Sequence, residues 1–301
     1  MAANTSLTYT ILDVFTTTHF RGNAVAIIHV PLGPSLTQEQ KQLIAREFNL
    51  SETVFLHEQT AAYAKVRRVR IDMFTPYAEV PFAGHATLGT AIYILNHMKL
   101  DRARALMTKS GPLGFKAKSP GAAQLTLAHN LHIHDDPFAG TDFGECPVVS
   151  IVRGMTFILA ELPDLEALGD QDTNLIGAEN TYTMKDALDQ GWRIGIVVSY
   201  FYVDLGLDAE GTRQFRARSM GSREDPATGG AAAALCCYLA LTEKYGGLVR
   251  WYQITQGVEM GRRSEISVQI TLNNDRNRVM ECLLSGGAIK VIEGKIEVPK
   301  V

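Results

Sequence analysis

The sequence predicts an α+β protein made of two similar halves, each a β-barrel-like sheet wrapped around a central helix. Two observations carry this expectation. Glu79-Val80-Pro81-Phe82-Ala83-Gly84-His85-Ala86 and Glu224-Asp225-Pro226-Ala227-Thr228-Gly229-Gly230-Ala231 share the spacing E-x-P-x-x-G-x-A. The offset is constant, 224 − 79 = 145, close to half of the 301 residues, as expected of an ancestral unit duplicated and fused. Each copy then runs on without Asp, Glu, Lys or Arg until Lys99 or Glu243, with Tyr93 and Tyr238 falling in step. A helix apolar on every side must be buried on every side, so each half is expected to hold one at its centre, the two copies facing each other. Pro suits the first helical turn, and Gly lets the backbone approach a neighbour or ligand closely.

The remaining elements follow in order. Tyr9 to Phe15 reads as a strand, and Phe20-Arg21-Gly22-Asn23 as a turn before the apolar run Ala24 to Val30. Thr37-Gln38-Glu39-Gln40 has capping-box spacing, and Leu43, Ile44 and Phe48 continue it as an amphipathic helix ending near Asn49. Ser51-Glu52-Thr53 lies between that helix and the strand Val54 to Leu56. Lys65 to Ile71 interleaves basic residues with valines, a strand with its charges on a solvated face. Gly111 to Ala122, with three Gly and two Pro, predicts turns around short strands. In the second half, Val148 to Arg153, Met155 to Ala160, Arg193 to Tyr202 and Thr212 to Arg218 are strand-like, and the irregular Pro163 to Asp186 carries a helix outside the barrel. Gly246-Gly247 stops the second central helix. Strands are then expected at Val249 to Thr255, Ser264 to Thr271 and Val279 to Leu284, with a hairpin of Ala288 to Ile292 and Lys295 to Val298 around Glu293-Gly294.

Composition excludes several classes. With 301 residues and 46% hydrophobic content the chain can bury the cores of two domains. The net charge of −3 implies no attraction to nucleic acid, and no nucleic-acid motif is present. Met1 to Thr10 has neither a basic region nor an apolar run, so no signal peptide is expected. The central helices are too rich in Gly, Thr, His, Pro and Ala to span a membrane. Cys146, Cys236, Cys237 and Cys282 lack zinc or C-x-x-C spacing and read as buried free thiols of a cytoplasmic protein. The segment Ala128 to Pro137 invites a metal reading, because His132 and His134 would share one strand face. Its spacing matches no established site, and it is expected to be a polar crossover with no metal.

Phe74-Thr75-Pro76, Pro81-Phe82-Ala83-Gly84-His85, Leu88-Gly89-Thr90-Ala91, Glu224-Asp225-Pro226-Ala227-Thr228-Gly229 and, upstream, Asn49-Leu50-Ser51-Glu52-Thr53 resemble the PhzF-like (phenazine biosynthesis) isomerase family, of the diaminopimelate epimerase fold superfamily. Gln256-Gly257 and Met260-Gly261-Arg262 resemble a late block of that family, with Arg263 where Pro is more usual. The resemblance implies a diaminopimelate epimerase-like fold in two pseudo-symmetric domains. The first is residues 1–127 with a C-terminal segment, 288–301, that returns to it; the second is 128–287. It is compatible with a homodimer, and it requires neither metal nor redox cofactor.

The superfamily's racemases use two thiols, at the residue before each motif Gly. Here those residues are Ala83 and Thr228, so a two-thiol amino-acid racemase is excluded. What remains is Glu52, His85, Asp225 and the helix-start amides around Gly84 and Gly229, with Thr228 and Gly230 beside them. The resemblance implies that Glu52 is the general acid/base, taking a C–H proton of a small unsaturated amino- or hydroxy-acid and returning it to another carbon of the same π-system, as in isomerisation of a dihydro-hydroxyanthranilate. An apolar pocket would lift Glu52 above its free pKa of about 4.3 and suit it to both steps. His85 and Asp225 would orient the substrate's polar groups, and free N–H groups at the helix starts would hold an anion. Gly230 stands where the family usually has Ser, which removes a hydroxyl from the second helix start. Two other readings remain open: a pericyclase or cyclase that uses the pocket for shape, and a binding protein that kept the fold without turnover. G-x-S-x-G, P-loop, H-E-x-x-H and dinucleotide fingerprints are absent from the sequence.

Overall fold

The computed structural model describes residues 6–33, 35–98, 100, 102–127, 130–183, 186, 188–243 and 246–301. Met1 to Thr5, Lys99, Ala128 and His129, which enter the sequence reading, lie outside them. The chain divides into two compact units, Met1–Leu125 with Ser285–Val301, and Thr126–Leu284.

The first unit contains β1 (Ser6–Val14), β2 (Asn23–Val30), α1 (Gln38–Phe48), β3 (Glu52–His57), α2 (Ala61–Lys65), β4 (Arg68–Phe74), β5 (Glu79–Val80), α3 (Gly84–Asn96), β6 (Ala105–Thr108), β7 (Gly111–Ser119) and β8 (Ala122–Thr126) at its boundary. The pairing order is β1 antiparallel to β2, β2 parallel to β3, β3 antiparallel to β4, β4 antiparallel to β5 and parallel to β6, and β6 antiparallel to β7. α3 packs on β1, β2, β3 and β7, strands from both ends of that order, which is what a sheet curled around a helix requires.

The second unit contains β9 (His132–Ile133), the hairpin strands β10 (Phe138–Thr141) and β11 (Gly144–Cys146), β12 (Val148–Val152), β13 (Met155–Glu161), α4 (Leu165–Gly169), a 3-10 turn at Ala178–Asn180, β14 (Ile196–Leu207), β15 (Arg213–Met220), β16 (Glu224–Asp225), α5 (Gly229–Thr242), β17 (Val249–Gln256) and β18 (Ser264–Leu272). The same alternation recurs: β12 antiparallel to β13, β13 parallel to β14, β14 antiparallel to β15, β15 antiparallel to β16 and parallel to β17, and β17 antiparallel to β18. α5 packs on β12, β13, β17 and β18, as α3 packs on its own sheet. The motif repeat is therefore a repeat of whole topology. Each half is a β-barrel-like sheet around one helix, the diaminopimelate epimerase-like α+β architecture.

Both central helices are buried on nearly every side. In α5, residues 229–237, 239 and 240 are buried, and Tyr238 is half-exposed; in α3, residues 84–92 and 94 are buried and Tyr93 is half-exposed. The two in-step tyrosines thus mark the same turn, where each helix reaches the edge of its sheet. No described helix is long and apolar enough to cross a membrane. All four cysteines are buried and free. Burial pushes the Cys236 thiol up, and the Cys282 contact, followed by burial, raises Cys237, so neither is a ready nucleophile.

Two local expectations are corrected. Glu293-Gly294 is no hairpin turn: β19 (Val279–Glu297) runs straight through it, pairing antiparallel with β1, Thr10 opposite Glu293 and Tyr9 opposite Gly294. Gly294 is there because a Cβ would lie 2.8 Å from the Tyr9 hydroxyl oxygen, so the glycine makes room for the ring. In the Gly- and Pro-bearing stretch from Gly111, Gly111, Pro112 and Gly114 lie in one nine-residue strand, β7, and the expected turn falls only at Pro120-Gly121, before β8. The capping box at Thr37 is present, with Asn49 closing α1 in the left-handed conformation at φ 49°.

Candidate active site

The left-handed turn at Asn49 ends α1, so that Glu52 becomes the first residue of β3, opposite Val25 of β2. His85 is the second residue of α3, entered from β5 through Pro81, the buried Phe82 and the extended Ala83. The fold brings the two together. His85 Nδ1 lies 3.3 Å from Glu52 Oε2, and their side chains are only 3% and 14% exposed. Gly84 and His85 are the first residues of the helix, where N–H groups have no intrahelical acceptor. One turn on, the Thr87 and Thr90 hydroxyls donate to the Ala83 and Ala86 carbonyls at 2.8 and 2.7 Å, which satisfies two buried hydroxyls without drawing on those amides.

The second signature builds a different cluster. The Thr228 hydroxyl donates to Asp225 Oδ2 at 2.6 Å, which fixes the half-buried carboxylate against the start of α5. Gln256, fully buried at the end of β17, locks this turn: its Oε1 accepts from the Thr228 N–H at 3.1 Å and the Tyr200 hydroxyl at 3.2 Å, and its Nε2 donates to the Asp225 carbonyl at 2.7 Å. Burial holds the Tyr200 phenol far above its ordinary pKa, so it stays protonated as that donor. Gly257, at φ 71°, continues the block; a Cβ there would lie 2.6 Å from the Pro226 carbonyl oxygen. Gly229 and Gly230 are the first two residues of α5, both buried. Gly230 has the position that His85 has in the first copy, so the side-chain pair of the first unit has no counterpart here.

The glutamates that define the repeated motif are held in ion pairs. Glu224 accepts a two-pronged pair of bonds from Arg218, Nε at 2.8 Å and Nη2 at 2.9 Å, while Arg218 Nη1 reaches the Leu168 and Gly169 carbonyls. Glu79 pairs with Lys109 at 2.7 Å. Their ion pairs brace the strand before each helix. Sequence reasoning reached Gln256 only as part of a resembling block, because its partners Tyr200, Asp225 and Thr228 are scattered along the chain and a strand glutamine carries no signal of burial.

The fold and this arrangement define the class as proteins of the diaminopimelate epimerase-like architecture. A family model described as phenazine biosynthesis-like protein matches residues 12–294. The chain is 31% identical to an uncharacterised isomerase of Pasteurella multocida over 88% of each chain, and 30% identical to the trans-2,3-dihydro-3-hydroxyanthranilate isomerase of Pseudomonas chlororaphis, covering 85% of this chain and 87% of that one. The crystal structure of a Bacillus anthracis PhzF-family protein superposes with a TM-score of 0.72 at 21% identity, covering 97% and 99% of the two chains. A hydroxyproline epimerase from Agrobacterium vitis shares the fold, with a TM-score of 0.65 at 13% identity over 99% and 94%. The chain belongs to the phenazine biosynthesis-like family, and it is an isomerase.

Proposed function

We propose that the protein is a cofactor-independent isomerase that moves one proton within a small unsaturated amino- or hydroxy-acid, of the chemical class of dihydro-hydroxyanthranilates. The observation that carries this reading is the buried Glu52–His85 pair at the start of α3. Glu52 as carboxylate takes the proton of an acidic C–H, and the electron pair enters the adjacent π-system. The resulting carboxylic acid returns the proton to the far carbon of that system, so no oxidant, reductant or group donor is consumed. His85 holds Glu52 in place. The amides of the first turn of α3 favour the charge that develops on the substrate's oxygen. In the second unit, Asp225 beside the start of α5 is an acceptor for an amino or hydroxyl group. The Thr228 hydroxyl is committed to Asp225 and its N–H to Gln256, so the Gly229 and Gly230 amides at the start of α5 are the groups there that an anion would meet. Isomerase names among relatives of about 30% identity support the reaction class, and the dihydro-hydroxyanthranilate isomerases supply the substrate class.

The test is a screen of small amino- and hydroxy-diene acids followed by ultraviolet change and mass. Turnover should yield a product isomeric with its substrate. With substrate deuterated at the reacting carbon, part of the label should survive in the product, because one carboxyl removes and returns it. An isomeric product that carries a new ring and keeps the whole label at its original carbon, or no turnover with tight binding, would move the protein to the cyclase or binding-protein reading.

A further inference from the structure

Outside the site described above, the loop before β14 brings a carboxylate against two histidines of the segment that opens the second unit. His132 lies on β9, in register with Ser150 of β12, and His134 follows two residues later, so both rings fall on one face, 4.8 Å apart. Asp189 enters from the loop: its Oδ2 is 2.6 Å from His132 Nε2 and 3.6 Å from His134 Nδ1. Among the described residues, His132, His134 and Asp189 form a group whose three donor atoms all lie within 4.8 Å of one another. We propose that these three residues bind one divalent transition-metal ion of borderline softness, zinc foremost.

The tautomer of His134 is fixed by its neighbours. Its Nδ1 faces the Asp189 backbone N–H at 3.2 Å, a group that can only donate, so Nδ1 carries the lone pair and Nε2 carries the proton. That Nε2 lies 2.9 Å from the Ser150 hydroxyl, which is 2.7 Å from the Thr156 hydroxyl. A metal-binding imidazole is anchored in this way, its outer nitrogen bonded to a partner and its inner one carrying the lone pair; an ion would take that lone pair in place of the Asp189 N–H. Trp192 stacks on His132 with centroids 4.5 Å apart and planes 5° from parallel, walling one side and holding the ring in place.

His132 Nε2 and Asp189 Oδ2 lie within hydrogen-bond distance across the place that the ion would take. Tetrahedral zinc with bonds of about 2.0–2.1 Å sets its ligands about 3.3 Å apart. The His134–Asp189 distance is near that. The His132–Asp189 pair must open by under about 1 Å, and the third pair, His132 with His134, whose donor atoms lie within 4.8 Å of each other, must close by up to about 1.5 Å. Two imidazoles and one carboxylate suit zinc and its transition-metal neighbours, whereas magnesium and calcium want oxygen ligands throughout. The fourth position falls to water. Bound metal would tie the loop around Asp189 to the edge strand β9.

The chain has two tryptophans, so Trp251→Phe leaves Trp192 as the reporter beside the ligands. Zinc titrated into this variant should change Trp192 emission, with one equivalent bound by calorimetry. Cobalt should quench it and develop the visible bands of a four-coordinate nitrogen and oxygen site, and magnesium should do neither. Melting temperature should rise with zinc concentration, as mass action requires. His132→Gln and Asp189→Asn should weaken binding by more than about tenfold, and Ser150→Ala, which keeps all three ligands, by about tenfold. Circular dichroism checks that each variant is folded. Absence of one-equivalent zinc binding by the intact protein overturns the proposal, as does zinc binding that His132→Gln and Asp189→Asn leave unchanged.

Discussion

Glu52 and His85 meet because a strand starts where α1 ends and a helix starts where β5 ends; neither residue is chemically unusual by itself. Gln256 does the equivalent service in the second unit with an uncharged side chain. Gln256→Leu keeps the volume but strands the Thr228 N–H and the Asp225 carbonyl, each worth about 1–3 kcal/mol when buried and unmade. It should lower stability in urea by about 2–4 kcal/mol and raise KM more than it lowers kcat; a variant as stable as wild type would show that the turn holds itself. A second residue-scale prediction concerns Asp72 of β4, which accepts from Lys41 at 2.5 Å and pairs with His57 at 2.8 Å. Burial would raise this carboxyl, but the bonds from His57 and Lys41 hold it far below the ordinary range. A depressed folded pKa stabilises fully above the unfolded value of about 3.9, and that contribution is lost as pH falls from there toward the folded pKa. Asp72→Asn leaves Lys41 buried without its counter-charge and should cost about 3 kcal/mol at pH 7, the gap to wild type narrowing below about pH 4. A gap independent of pH would mean that packing, and not charge, is what Asp72 supplies.

At the scale of elements, the central helices were legible because a charge-free run of this length has one physical explanation. α1 was legible to its caps for a similar reason: Thr37 and Asn49 each solve a specific problem at a helix end. What the sequence hid is the use of glycine. Gly294 and Gly111 read as turn residues, yet both lie in strands, and at Gly294 the cause is the Tyr9 ring on the neighbouring strand, to which local pattern is blind. Gly89 is the analogous case inside α3. A Cβ there would lie 2.7 Å from Val14 Cγ2 and 3.0 Å from Val25 Cγ1, so the missing side chain lets the helix close on β1 and β2. Gly89→Ala gains about 1 kcal/mol of helix propensity and meets an overpacking cost of about 1–3 kcal/mol, so a net loss of about 1 kcal/mol is expected. Adding Val14→Ala should recover part of it in a double-mutant cycle. A Gly89→Ala variant more stable than wild type would mean that the helix moves freely against its sheet.

For the whole molecule, duplication explains the topology and the departure from it explains the chemistry. Two units repeat the same alternation of parallel and antiparallel pairs around one helix, yet the acid and its histidine exist only in the first, and the racemase thiol positions are Ala83 and Thr228. The fold could be anticipated from motif spacing and family resemblance, which also pointed to Glu52 and His85 one by one; that His85 lies against Glu52, where it was expected to orient the substrate, is seen only in the structure. The Gln256 lock and the joining of Asp189 to His132 and His134 could not be anticipated, because they depend on loops whose course no periodicity encodes. The central claim is that Glu52 moves the proton, and Glu52→Gln tests it most directly, since the amide is nearly isosteric and cannot act as the base. On a confirmed substrate it should bind with affinity close to wild type and lose at least about a hundredfold in kcat; turnover equal to wild type would contradict the account.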